Sequence, residues 1–255
     1  MIRILLVLSA LSVSAVAFAE KLEARLEWAN RVELAIPLSG VVDKVMVVPG
    51  QRVKSGQELL SLDQRLFEAN KNKAGALLGE AAQDRAEADR QLSRALELYD
   101  QTVLSDYDKN MAEIEMARAN ALWHTAKAAQ VEAQIDLEQS RIAAPFDGVV
   151  LSVHAYPGQV VNNQLAVQPL IVLADDTRLV AKAKAPADKL ASLKSGQNLK
   201  VGVGGAWVGG KVLDLGMDPI DENERGPLYE LGVVFNRPET LLVRVGIPVV
   251  IRINE

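Results

Sequence analysis

Two short stretches of the chain are copies of one another, and the sequence between them is of a different kind. Gly40-Val41-Val42 recurs as Gly148-Val149-Val150, Val45 as Val153, Pro49-Gly50-Gln51 as Pro157-Gly158-Gln159, and Val53 as Val161, all at one constant offset. Each copy, within residues 38–63 and 146–175, reads as a short alternating strand, a Pro-Gly turn and a second strand. Two or three short strands cannot bury a face alone. The copies must therefore pair into one β-module, and the chain must leave that module and return to nearly the same place.

The intervening segment suits such an excursion. No proline occurs between Pro49 and Pro145, and no glycine or proline between Gly79 and Pro145. Alanine, Glu, Gln, Arg and Leu dominate, all good helix formers. One heptad series runs Ala74, Leu78, Ala81, Arg85, Ala88, Leu92, Ala95 and Tyr99. A second runs Ile114, Ala117, Ala121, His124, Ala128, Val131 and Ile135. These spacings predict an antiparallel coiled-coil hairpin whose seam the two series form. Arg85 and His124 fall at the seam edge with their polar ends in water. The apex falls at residues 100–105, because Ser105 and Asp108 have capping-box spacing. Helix one is expected from about Leu66 to Tyr99 and helix two from about Asp106 to Ser140, each on the order of 50 Å long. An arm of that length is a reaching device more than an enzyme core.

The flanks complete the organisation. Arg3, the apolar run Ile4–Val13 and Ala17-Phe18-Ala19 read as a signal peptide, either cleaved to leave Glu20 as the mature start or retained as an anchor. Residues 20–37 alternate and can lend a strand to either β-module. After Asp175, strands are expected at 179–185, 201–203, 210–215, 229–235 and 247–253, a small antiparallel barrel. The fold class is therefore α+β and elongated. Its expected divisions are a signal peptide 1–19, an N-terminal strand segment 20–37, a first half-module 38–65, the helical hairpin 66–140, a second half-module 141–176 and the barrel 177–255.

Composition removes several function classes. With 28 basic and 33 acidic residues the net charge is −5, a poor basis for neutralising nucleic-acid phosphates. Cysteine is absent and only His124 and His154 occur, so thiol chemistry is excluded and little remains for a zinc site. Asp147, Asp175-Asp176 and Asp218 to Asp221 sit beside Gly, Pro or Thr, as turn formers do. Met111 and Met116 are packing residues. No cofactor or catalytic residue is expected.

In this order of parts the chain resembles the periplasmic adaptor proteins, or membrane fusion proteins of the HlyD-like family, of tripartite efflux and secretion systems. The strings carrying the resemblance are 38–42 (Leu-Ser-Gly-Val-Val), 48–57, 142–150 with its Ala-Pro-Phe-Asp-Gly, 193–197 and 235–238. The resemblance implies a lipoyl-like barrel-sandwich hybrid split by the hairpin. It implies an inner-membrane transporter (RND or ABC type) and an outer-membrane TolC-like channel as partners, with self-association as a hexamer. Adaptors that dock on such channels carry Arg, Leu and Ser near the hairpin tip, matched here by Arg94, Leu98 and Ser105. The family's later Asp is Asn110 here, followed by the expected Ala112. The resemblance implies that the three residues are solvent-exposed near the apex and bind the channel.

Two rival readings stand beside it. An exported structural coiled coil would use the heptads and leave the barrel without a task. A biotinyl or lipoyl carrier would need a lysine at an exposed hairpin between the halves, where Lys71 and Lys73 fall inside the expected helix instead.

Overall fold

The structure is a computed structural model that describes residues 21–162, 167–224, 226–238 and 244–253. The signal segment lies outside the described residues. The chain divides into two compact units, residues 31–174 and a second built from the residues up to 30 and those from 175 onward.

The elements run in order: β1 (Lys21–Trp28), β2 (Arg31–Leu34), β3 (Gly40–Val45), β4 (Arg52–Val53), β5 (Glu58–Leu62), α1 (Arg65–Asp100), α2 (Asp106–Gln139), β6 (Arg141–Ala143), β7 (Gly148–Val153), β8 (Val160–Val161) and β9 (Ile171–Ala174). There follow β10 (Arg178–Pro186), the one-turn α3 (Ala187–Leu190), β11 (Asn198–Val203), β12 (Ala206–Asn223), β13 (Gly226–Asn236) and β14 (Pro248–Arg252).

In the first unit two four-stranded sheets, ordered β2-β9-β7-β4 and β6-β5-β3-β8, close over one core. Leu59, Leu60, Leu62, Val42, Val150, Ile171 and Leu173 form its centre. The copies interlock by exchange. Gly50 N–H donates to the Val150 carbonyl at 2.7 Å and Gly158 N–H to the Val42 carbonyl at 2.8 Å. In return Val150 N–H donates to Gln51 O and Val42 N–H to Gln159 O, each within 2.9 Å. Each Pro-Gly turn is thus clasped by the other copy's Gly-Val-Val strand, and both glycines sit at φ 86°, where a side chain would be strained. The two turns are equivalent parts of one module, as the pairing argument requires.

The glutamine after each glycine closes its turn. Gln51 Oε1 accepts from Val48 N–H at 3.1 Å and Gln159 Oε1 from Tyr156 N–H at 3.2 Å. The same device recurs at Gln57 with Lys54 N–H and, in the barrel, at Gln197 with Lys194 N–H. Asp147 adds a tie between the copies, accepting from Ser55 N–H at 2.7 Å.

The second unit is a closed barrel ordered β1-β10-β13-β12-β11-β14. Its core includes Leu26, Leu179, Val201, Leu231, Val233 and Ile251. The segment 20–37 that could serve either module serves both: β1 completes the barrel and β2 pairs with β9 of the sandwich. β12 is longer than expected and bulged, its outer half running with β13 beyond the buried part of the barrel.

Candidate functional site: the hairpin and its apex

The arm is anchored at its base by polar contacts from both helices. Asp63 Oδ1 accepts from the Arg65 N–H at 3.1 Å, and the Arg65 guanidinium pairs with the same carboxylate. The guanidinium bond holds the Asp63 pKa down to about 2. Across the pair, Gln64 Nε2 donates to Ser140 Oγ at 3.0 Å, and the fully buried Ser140 donates to the Leu137 carbonyl.

Along α1 the expected heptad forms the seam. Ala74, Ala81 and Ala88 are buried, and Leu78, Arg85, Leu92 and Ala95 half-buried. On α2 the expectation is corrected. The side facing α1 carries Ala112, Met116, Ala119, Trp123, Ala126 and Leu137, whereas Ile114, Ala117, Ala121, His124, Ala128, Val131 and Ile135 are all exposed. The physical reason is the aromatic ring. Trp123 enters the seam beneath the Arg85 guanidinium, 4.7 Å from its centroid, and that contact sets the rotation of α2. His124 only touches the edge of Trp123, at 4.8 Å between centroids.

The apex turns in five residues. Val103 and Leu104 N–H groups both donate to the Leu98 carbonyl, at 3.0 and 3.3 Å, and Thr102 takes φ 59°. Ser105 caps α2, its Oγ accepting from Asp108 N–H at 3.2 Å and donating to the Asp108 carboxylate at 2.6 Å. The acid three residues on thus meets the serine hydroxyl rather than its backbone N–H. Tyr99 OH donates to Asp106 at 2.7 Å, which raises the phenol pKa, and Lys109 Nζ lies 4.7 Å over the Tyr99 ring.

Arg94 and Ser105 are exposed, as expected of docking residues, but Leu98 is half-buried, its carbonyl committed to the turn. The large apolar groups that the apex offers to solvent are Val103, 70% exposed, and Tyr107, 71%. Sequence reasoning passed over both, although Val103, an apolar residue between a helix end and a capping serine, has no core to enter.

The described residues include no group of three or more His, Asp or Glu able to hold a metal, and no helix long and apolar enough to cross a membrane. A groove of about 940 Å³ on the barrel wall is lined in part by paired charges, Lys182 with Glu230 at 2.9 Å and with Glu27 at 3.5 Å. Asp175 is held by Thr177 and Arg178 in a turn. Lys71 and Lys73 lie inside α1, away from any turn a carrier would need.

A family model described as a CzcB-like, barrel-sandwich hybrid domain matches residues 30–175. The chain belongs to that family. The fold of this barrel-sandwich hybrid protein is that of the membrane fusion proteins. The membrane fusion protein Spr0693 from Streptococcus pneumoniae superposes with a TM-score of 0.71 at 18% identity, covering 92% of this chain and 98% of that one. A MacA-MexA chimeric protein bearing the Pseudomonas aeruginosa MexA α-hairpin superposes at 0.68 with 24% identity, covering 92% and 82%. In sequence, the macrolide export protein MacA of Yersinia pestis is 27% identical over 186 residues, 68% of this chain and 50% of that protein. The solvent efflux pump periplasmic linker SrpA of Pseudomonas putida is 28% identical over 174 residues, 67% and 42%. The chain spans about half the length of the curated relatives it matches.

Proposed function

We propose that the protein is a periplasmic adaptor and not an enzyme. It is exported by its signal segment and links an inner-membrane transporter, of RND or ABC type, to an outer-membrane TolC-like channel for efflux or secretion. It would act as a self-associated ring, a hexamer by resemblance. One observation carries the reading: a paired-helix arm on the order of 50 Å long ends in an apex that leaves Val103 and Tyr107 in water beside Arg94 and Ser105. Apolar side chains flanked by a forked donor suit a partner that offers carbonyls and carboxylates around an apolar cleft. The linker and export names of the relatives support the same setting.

The test is Val103→Asp and Arg94→Ala in cells, with Leu98→Asp alongside. Helix content and export of the adaptor should stay at wild-type level for the first two. Cross-linking to the channel and transport should be lost, because a carboxylate at position 103 would be trapped in the docking surface. Normal cross-linking and transport by Val103→Asp and Arg94→Ala would refute docking through the apex. Leu98→Asp additionally loosens the turn, and its thermal midpoint should drop.

A further inference from the structure

The outer wall of the barrel carries a row of cations that folding does not ask for. Leu22 of β1, Ile251 of β14 and Val201 of β11 point into the core, so their neighbours Lys21, Arg252 and Lys200 point outward. The strand register sets these three directly opposite one another, Lys21↔Arg252 and Arg252↔Lys200. Adjacent strands stand about 5 Å apart, so the three side chains rise from the sheet within roughly 10 Å. Like charges facing each other across a ladder weaken it, and the chain as a whole is acidic, at −5. Lys21 has no ion-pair partner among the described residues. Glu23, one row along β1, faces Val250 and not a cation.

Trp207 stands beside the row. It lies opposite Gly202 on β11, where a Cβ would meet the indole ring at 3.2 Å, so the glycine lets the ring lie down on the sheet. The Arg252 guanidinium stacks 4.2 Å from the ring centroid, and its Nε is buried with no hydrogen-bond partner among the described residues. Stacking holds the guanidinium plane, whose fork matches two oxygens of a phosphate. The indole itself is 44% exposed, and with Lys21 and Val250 it lines a pocket of about 210 Å³.

The combination has a natural counterpart. Clustered Lys and Arg are drawn to anionic headgroups, and a tryptophan ring favours the boundary between headgroups and hydrocarbon, its body apolar and its N–H wet. The place of the row in the chain selects the same occupant. Lys21 follows directly on the expected signal segment 1–19. Where that segment stays as an anchor, two residues of extended chain, about 7 Å, separate Lys21 from the end of the anchor.

We propose that Lys21, Arg252, Lys200 and Trp207 form a headgroup site that holds the barrel against anionic phospholipid of the inner membrane. The Arg252 fork takes the phosphate oxygens, the two lysines flank it, and the Trp207 ring enters the interface. The site rests on export, as proposed above, and needs neither the transporter nor the channel.

The full chain, purified after export, is sedimented with vesicles of phosphatidylethanolamine and phosphatidylglycerol, and with vesicles of phosphatidylethanolamine and phosphatidylcholine. Binding should be about tenfold or more stronger with phosphatidylglycerol and should weaken with salt. Lys21→Gln and Arg252→Gln should each reduce that preference by about fivefold. The same charge change on α1, Lys71→Gln with Lys73→Gln, should leave it intact. Should Arg252→Gln lower the thermal midpoint, Lys21→Gln, at an exposed strand end, carries the test alone. Phosphatidylglycerol brominated near its headgroup should quench tryptophan fluorescence in the wild type and not in Trp207→Phe. Equal binding to both vesicles, an unchanged preference in Lys21→Gln, or an equal loss in the α1 variant would overturn the proposal. Inorganic phosphate should release the protein no better than chloride at equal ionic strength. Release by phosphate alone would assign the row to a soluble phosphate and overturn the lipid. Export is read separately by cell fractionation. Retention in the cytoplasm sinks the export reading and leaves the vesicle result standing, whereas an exported protein with no vesicle preference sinks this site alone.

Discussion

Gly148 is where the sandwich tolerates no side chain. A Cβ there would stand 2.2 Å from the Ala174 carbonyl oxygen, so Gly148→Ala must push β7 from β9. It should cost about 2 kcal/mol or more, seen as a fall in thermal midpoint with the helical signal retained until unfolding. The Gln clasps are smaller, each one hydrogen bond. Gln51→Ala should cost about 0.5–1.5 kcal/mol, whereas Gln51→Glu keeps the acceptor oxygen and should lose less. Asp63 makes the base of the arm sensitive to acid. Its folded pKa of about 2 lies below the ordinary 3.8 because Arg65 stabilises the carboxylate. The stabilisation is therefore fully present above about pH 4 and is lost as pH falls through 2. A carboxyl titration followed by NMR should place Asp63 near that value in the wild type and return it toward 3.8 in Arg65→Ala. An unshifted Asp63 in the wild type would contradict the pairing.

At the scale of the elements, the hairpin turn is the point of strain. Thr102 takes a left-handed φ of 59°, a region that β-branched residues avoid. Thr102→Gly should stabilise the protein by about 0.5–1 kcal/mol, and Ser105→Ala, which removes the cap of α2, should cost about 1 kcal/mol. Opposite shifts of the thermal midpoint in the two variants would check the apex as described. Both helices, the cap and the pairing of the two half-modules were legible in the sequence, because proline-free helix-forming composition, serine capping and constant repeat offset each have one physical reading. The α2 seam was not. That helix bears two apolar stripes, and periodicity reports that a stripe exists without saying which one meets α1. Only the fit of Trp123 under Arg85 decides it. Leu98, expected exposed, is half-buried, and the two bonds that the turn makes to its carbonyl are a feature no spacing rule reveals. Val103 and Tyr107 were legible in principle, as apolar residues outside any heptad.

In the whole molecule, chain order and spatial order diverge at one place with a large consequence. The barrel is completed by β1, which lies between β10 and β14 and pairs with both, from Lys21↔Arg252 to Trp28↔Leu179. Leu22, Ala24 and Leu26 point into its core at 7%, 5% and 0% exposure. Burying each of the two leucines contributes about 1.5–3 kcal/mol, and without β1 two strands would become bare edges. The sandwich draws every strand from residues 31–174 and has no such dependence. Deleting residues 21–28 should therefore act on one unit only. Backbone amides of β10, β13 and β14 should exchange with deuterium orders of magnitude faster. Those of β5, β7 and β9, and of α1 and α2, should keep their wild-type protection. Equal acceleration in both units would show that they fold as one cooperative block. Unchanged protection in the barrel would show that β1 is dispensable to it, and either result would contradict the division of labour that the strand pairing describes.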